Sequence, residues 1–353
     1  MAKIAFITDT HFGVRNDSIA FLDYFKKFFN NVFFPYLEEH SIDTIVHLGD
    51  LVDRRKFISF HTAYRLWKDF MSKAVKYDFH LILGNHDVTF KNTNRLNAAL
   101  ELYRHLNVKI YDKAEEVELK GEKFLFIPWI NMENKDHTYD LLSKTTAGTV
   151  LGHLELRGFE MHKGILSNHG DDPSIFSRFN MVCSGHYHRR STHGIVHYLG
   201  SPCEFTWSDY DDPKGFHIYD TDTKELTFVP NPYIMFHKVF YDDADKRLNE
   251  IMDFDFEQLK GTVIKVVVQN KTNPFWFDKF LTEIEKQDPA NLQIVEDHGN
   301  LNEIVDEDLV SEAESTLDIF KKHINQGGFD ESLKPALEKC IVNLYSEAMT
   351  LEN

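Results

Sequence analysis

The chain has 353 residues, 42% of them hydrophobic, with 30 Phe and 14 Tyr, and 56 Asp+Glu against 39 Lys+Arg give a formal charge of −17. That apolar content supports a sizeable core and excludes disorder as the main state. The charge excludes a protein that coats nucleic acid through phosphate neutralisation, though not an enzyme that meets phosphate through metal ions and a local basic strip.

The acid is unevenly placed: residues 281–353 hold 17 acidic and five basic residues, a balance of −12, which leaves −5 for residues 1–280. No apolar run approaches the roughly 20 residues of a membrane helix, so no membrane segment is expected. An aspartate at position 9 interrupts the N-terminal apolar stretch too early for a signal-peptide core, and a cytoplasmic protein is expected. The cysteines Cys183, Cys203 and Cys340 form no CxxC, which argues against a disulfide framework and a thiolate zinc site.

In chain order, KIAFIT (3–8), TIVHLG (44–49) and FHLILGN (79–85) read as buried strands. Between and after them the apolar spacing predicts helices over about 18–40, 60–77 and 94–105. Strand–helix alternation implies a parallel sheet with right-handed crossovers, and ligands collect at the carboxyl ends of such strands. From about 115 to 230 the pattern changes to short strands with turns, including a hairpin at Lys120-Gly121 and a turn over 220–225, and predicts a second sheet packed on the first. Asn231-Pro232 marks a boundary. Residues 233–299 read as a small α/β unit with strands over 262–268 and 292–296 around a helix over about 275–287. An acidic linker (300–308) and two amphipathic helices, about 309–325 and 332–350, follow.

Five motifs follow strand-like runs: Asp9-Thr10-His11, Gly49-Asp50-Leu51-Val52-Asp53-Arg54, Gly84-Asn85-His86-Asp87, Gly152-His153 and Gly185-His186-Tyr187-His188. Glycine beside a ligand lets backbone approach closely, and in D-x-H and H-x-H both side chains project to one side of an extended chain. Imidazole, carboxylate and carboxamide without thiolate suit Mn, Fe or Zn. The set suffices for two ions: Asp9, His11 and His188 for the first, Asn85, His153 and His186 for the second, with Asp50 bridging. Such a pair favours phosphate-ester hydrolysis. His86 points away from its neighbour Asn85 and is the candidate to stabilise the phosphoryl group or protonate the leaving oxygen, with Asp53 orienting it. Arg54 is the candidate phosphate clamp.

The ordered set D-x-H, GDxxDR, GNHD, GH and GHxH, spanning roughly residues 1–230, resembles the calcineurin-like metallophosphoesterases. That resemblance implies an α/β (α+β) fold, a β-sandwich flanked by helices around a dinuclear metal centre, over residues 1–232. Gly200-Ser201-Pro202, Phe205-Thr206-Trp207 and Lys214-Gly215-Phe216, with the small unit and the terminal helices, are similar to the SbcD-type nuclease subunit of the double-strand-break repair complex, especially its bacteriophage form. By that likeness the protein is expected to be a manganese-dependent DNA exonuclease and endonuclease, with magnesium as the other candidate ion. Residues 233–299 would cap the site, residues 309–353 would dock on an SbcC-type SMC-like ATPase, and the chain would pair as a homodimer. Asp53 stands where archaeal and eukaryotic relatives typically carry His, so no role of that His is carried over.

Two rival readings stand beside this one: a stand-alone phosphodiesterase or phosphatase of the same superfamily, and a scaffold that mainly tethers DNA ends. The approximately 120 residues after Asn231 speak against the first. Taken singly, the other histidines read as surface or satisfied core, and Phe205, Trp207 and Tyr210 read as core rather than base-stacking residues.

Overall fold

In the strand Lys3–Ile7, Ile4 and Phe6 face one side and Ala5 and Ile7 the other, and all four are buried. A strand covered on both faces belongs to an inner layer. In this computed structural model, Ile4 and Phe6 join Val46, Ile82, Phe124, Phe126, Leu151 and Cys183 in one cluster, while Ala5 and Ile7 pack with Phe25, Phe29, Phe33 and Phe70 in another. The first cluster lies between two sheets and the second between a sheet and helices. The structure describes residues 2–106 and 108–296 and, beyond them, only Lys334 and Leu337, both helical. The acidic linker and most of the terminal helix pair therefore lie outside the described residues. The chain divides into two compact units, Met1–Gly299 and Asn300–Asn353.

Each main sheet has six strands. The first runs 226–230, 215–220, 3–7, 44–47, 78–82, 109–111, and its last four strands are parallel. The second runs 191–193, 196–198, 181–185, 149–153, 122–127, 115–119, with its four central strands parallel. The fold is thus mixed α/β. One expectation is corrected here: Gly215–Asp220 and Leu226–Pro230 do not extend the second sheet. Gly215–Asp220 pairs antiparallel with Lys3–Ile7, through Lys3–Asp220 to Phe6–His217, and so closes the edge of the first sheet.

The helix expected over 18–40 runs from Ile19 to Glu39, but Phe29–Phe33 form a widened turn. Pro35, just beyond that turn, has no N–H for the carbonyl one turn back, and a widened turn accommodates the missing bond. A second widened turn, Trp67–Met71, interrupts the helix Phe60–Ala74, and the two meet where the Phe29 and Phe70 rings lie 4.7 Å apart. The helix expected over 94–105 is shorter. Thr93–Asn97 pairs with Val88–Phe90 as a small antiparallel ribbon, and only Ala98–Tyr103 is helical, capped by the Asn97 side chain. Residues 236–242, 263–270 and 291–296 form a separate three-stranded parallel sheet whose core includes Tyr241, Val266, Phe277, Phe280 and Ile284. Among the described residues no helix is long and apolar enough to cross a membrane.

Candidate metal centre

The carboxyl ends of five parallel strands, three from the first sheet and two from the second, converge. Strand 3–7 delivers Asp9 and His11, strand 44–47 Asp50 and Asp53, strand 78–82 Asn85 and His86, strand 149–153 its terminal His153, and strand 181–185 His186 and His188. Asp9, His11, Asp50 and His186 have φ of 51°, 43°, 55° and 90°, a left-handed conformation that L-residues adopt at a cost of about 1–3 kcal/mol each. Strain gathered on four candidate ligands indicates that the surrounding fold holds these loops for function. A Cβ on Gly84 would lie 2.1 Å from Asp50 Oδ1, and one on Gly185 2.0 Å from Thr8 Oγ1, so the two loops can approach only through glycine.

The donor atoms form overlapping triads. Asp9, His11 and His188 make one, Asp50, His153 and His186 a second, and His11, Asp53 and His86 a third, with donors in each within 4.8 Å of one another. Asn85 Oδ1 lies 3.0 Å from both His153 Nε2 and His186 Nδ1. Asp50 is placed between the first two triads: Oδ1 accepts from the His86 N–H at 2.7 Å, while Oδ2 lies 3.2 Å from His153 Nε2 and 3.6 Å from His11 Nε2. His11 and His188 present Nε2 atoms to each other at 3.0 Å. His153 Nδ1 donates to the Leu48 carbonyl at 2.8 Å, which turns Nε2 into the cluster. This buried nitrogen and oxygen set fits two divalent ions.

Electrostatics point the same way. Burial opposes charge on Asp50, yet the facing His153, His86 and His11 hold its carboxyl well below the usual range. Burial disfavours the His153 imidazolium, but the Asp50 and Asp9 carboxylates push it up to about 9. Burial and the neighbouring His153 push His186 down to about 3. Asp9 is raised, mainly by burial, with Asp50 adding to it. Carboxylates crowded this closely in a dry site call for positive charge.

His86 is half-buried, its ring edge-on to His11 with centroids 4.8 Å apart. Its Nδ1 bonds the main-chain carbonyl of Asp53, whereas the Asp53 carboxylate lies 3.5 Å from His11 Nδ1. The Asp53 main-chain carbonyl thus orients the His86 ring, and the Asp53 carboxylate stands beside the His11 and His86 imidazoles in the third triad. Arg54 bonds Asp17 and lies over the Phe57 ring, 4.4 Å from the centroid. Arg189 pairs with Glu160 at 2.6 Å. Phe205 is buried, and its ring meets those of His11 and His188 at 5.4 and 5.3 Å.

Two supports escaped the sequence reading. Asp87 is fully buried, and its carboxylate accepts from the main-chain N–H groups of Asp50, Leu51, Val52 and Gly84. His47 accepts from the Gly49 N–H on Nδ1 at 3.2 Å, so Nε2 donates to Thr10 Oγ1 at 3.0 Å, and Thr10 donates to the Leu51 carbonyl at 3.2 Å. Burial pushes His47 down to about 3, which keeps this chain of bonds neutral and joins the Asp9–His11 loop to the Asp50 loop. The aspartate closing GNHD was a visible signal for Asp87; a histidine inside a buried strand offered none.

Residues 2–190 match the family model of the calcineurin-like phosphoesterases. Over 359 aligned residues the chain is 31% identical to exonuclease subunit 1 of Enterobacteria phage T4, covering 98% of this chain and 99% of that protein. It is 24% identical to the SbcD subunit of the SbcCD nuclease of Staphylococcus epidermidis, over 78% of each chain. The corresponding protein of Staphylococcus saprophyticus is 21% identical, over 65% of this chain and 68% of that one. Since the family match takes in every converging loop and more than half of the residues, the chain belongs to the calcineurin-like phosphoesterases.

Proposed function

We propose that the chain is a metal-dependent DNA nuclease that cleaves phosphodiester bonds as the nuclease subunit beside an SMC-like ATPase, in the cytoplasm. The observation that carries this reading is the convergence of Asp9, His11, Asp50, Asn85, His153, His186 and His188 in one cluster, buried except for the half-buried His186 and His188. The near full-length likeness to a phage exonuclease subunit selects a nuclease over a small-ester phosphatase. When bound, two divalent ions, manganese first and magnesium second, supply charge neutralisation at the phosphoryl group and an activated water.

The chain's own residues do the rest. Asp9, His11 and His188 would hold one ion and Asn85, His153 and His186 the other, with Asp50 shared between them. His86, whose Nδ1–H is held by the Asp53 carbonyl, gives a proton from Nε2 to the leaving oxygen as the imidazolium and is left as the Nδ1–H neutral ring. Arg54, which contacts Asp17 through Nη2, is the phosphate clamp. Residues 233–299 cap the site, and residues 309–353 dock on the ATPase.

The test is manganese-dependent release of nucleotides from linear duplex DNA, compared with turnover of a small phosphodiester, together with anomalous scattering from a manganese-soaked crystal. DNA cleavage with two scattering peaks among the named ligands is expected. Turnover of the small diester with DNA untouched would select the stand-alone phosphodiesterase.

The homodimer reading comes from the SbcD likeness, and the exposed face of the helix that starts at Phe60 supports it. Phe60, Tyr64 and Trp67, at i, i+4 and i+7, are 97%, 55% and 40% exposed, while Leu66, Phe70 and Met71 on the other side are buried. An aromatic stripe of this kind marks an association surface. Phe60→Asp with Tyr64→Asp is expected to give a monomer in sedimentation velocity with the melting temperature unchanged. A dimer that survives both changes places the interface elsewhere.

A further inference from the structure

The main-chain carbonyl of His188 accepts from Lys214 Nζ at 2.8 Å and from the Ser201 N–H at 3.0 Å. Lys214 is buried, and its ammonium also meets Asp209 Oδ1 at 2.7 Å and Asp212 Oδ2 at 2.9 Å. Three protons thus find three acceptors, so the buried charge is fully bonded. The other oxygen of Asp209 accepts from the N–H groups of Phe205 and Thr206, at 2.8 and 3.0 Å. The Phe205 carbonyl is in turn held by Arg15 Nε at 2.9 Å. One buried ion pair therefore joins the backbone of His188 to the backbone of the ring that walls off His11 and His188.

We propose that Lys214 and Asp209 are positioning residues that fix His188 and Phe205 and thereby set the affinity for the ion held by Asp9, His11 and His188. The inference rests on the two-ion reading above and adds to it a residue pair outside the ligand set. A buried ion pair is a poor source of stability, because apolar residues of similar volume often serve as well or better. What it supplies here is geometry. The ammonium holds the His188 carbonyl, and with it the direction of the ring, while two carboxylates around one ammonium leave a net negative charge beside a cation site. Outer partners of this kind typically change metal affinity tenfold to 100-fold when removed.

The experiment is a manganese titration of the full-length protein, followed by the electron paramagnetic resonance of free Mn²⁺, with melting temperatures of the metal-free proteins measured in parallel. Lys214→Met leaves Asp209 and Asp212 charged without their cation, so its folding is at risk. Lys214→Met with Asp209→Asn removes the ammonium and its buried carboxylate partner, leaves only the half-buried Asp212 carboxylate, which has access to water, and keeps an asparagine oxygen to cap Phe205 and Thr206. The parent is expected to take up two ions. The double variant is expected to keep one at parental affinity and bind the other roughly tenfold to 100-fold more weakly, with a melting temperature within a few degrees of the parent. Two ions bound with parental affinity, or both weakened equally alongside a large drop in melting temperature, would overturn the inference. A parent that binds fewer than two ions would overturn the two-ion reading itself and this inference with it.

Discussion

Asp87→Asn is expected to disable the centre although it removes no proposed ligand and changes no volume. The Asp87 carboxylate accepts on Oδ2 from Asp50 N at 2.8 Å and Gly84 N at 2.9 Å, and on Oδ1 from Leu51 N at 2.8 Å and Val52 N at 3.3 Å. Burial and the charge of Asp50 push its carboxyl up to about 6, and the four N–H groups aimed at its two oxygens use both as acceptors. An asparagine has one acceptor oxygen, and its NH₂ would face two buried donors. Each unsatisfied donor costs about 1–3 kcal/mol, so a loss of about 2–6 kcal/mol is expected. The loss falls on the loop that gives Asp50 its left-handed φ and presents Oδ2 to both triads. Urea denaturation is expected to show the lower midpoint, and manganese titration is expected to show weakened binding of both ions. Parental values in both measurements would show that Asp50 is held by other means.

The candidate metal centre was legible in the sequence because its chemistry restricts residue type and its architecture restricts place. Imidazoles and carboxylates at the ends of apolar runs, each beside a glycine, have few other uses. Burial on both faces made Lys3–Ile7 and Thr44–His47 equally plain. What the sequence left open was pairing. Gly215–Asp220 has the composition of a buried strand, and nothing local records that its partner is Lys3–Ile7, more than two hundred residues earlier. The Thr93–Asn97 strand was hidden for another reason: Leu96, Ala99 and Tyr103 fall at helical spacing, but Asn97 caps the following helix and ends the strand. The bond from His86 to the Asp53 main-chain carbonyl was not legible either, because any residue at that position carries a carbonyl. Roles carried by main-chain atoms leave little trace in residue identity, and Asp87 and His47 act on main-chain groups as well.

His86→Ala is expected to separate ion binding from cleavage. The His86 ring stands against His11, but the triads built on Asp9 and Asp50 are complete without it. Both ions should therefore bind the variant as they bind the parent, while removal of a positioned proton donor lowers kcat by about 10²–10⁴-fold. The leaving group then distinguishes the two roles open to His86. A sugar oxygen of DNA leaves as a poor alkoxide and needs the proton, whereas a nitrophenolate leaves without one. If His86 Nε2 supplies that proton, the variant should lose far more activity on DNA than on a nitrophenyl ester of thymidine monophosphate. Equal losses on both substrates would assign His86 to charge stabilisation at the phosphoryl group instead, since that need does not depend on what leaves. Undiminished DNA cleavage would remove His86 from the chemistry altogether.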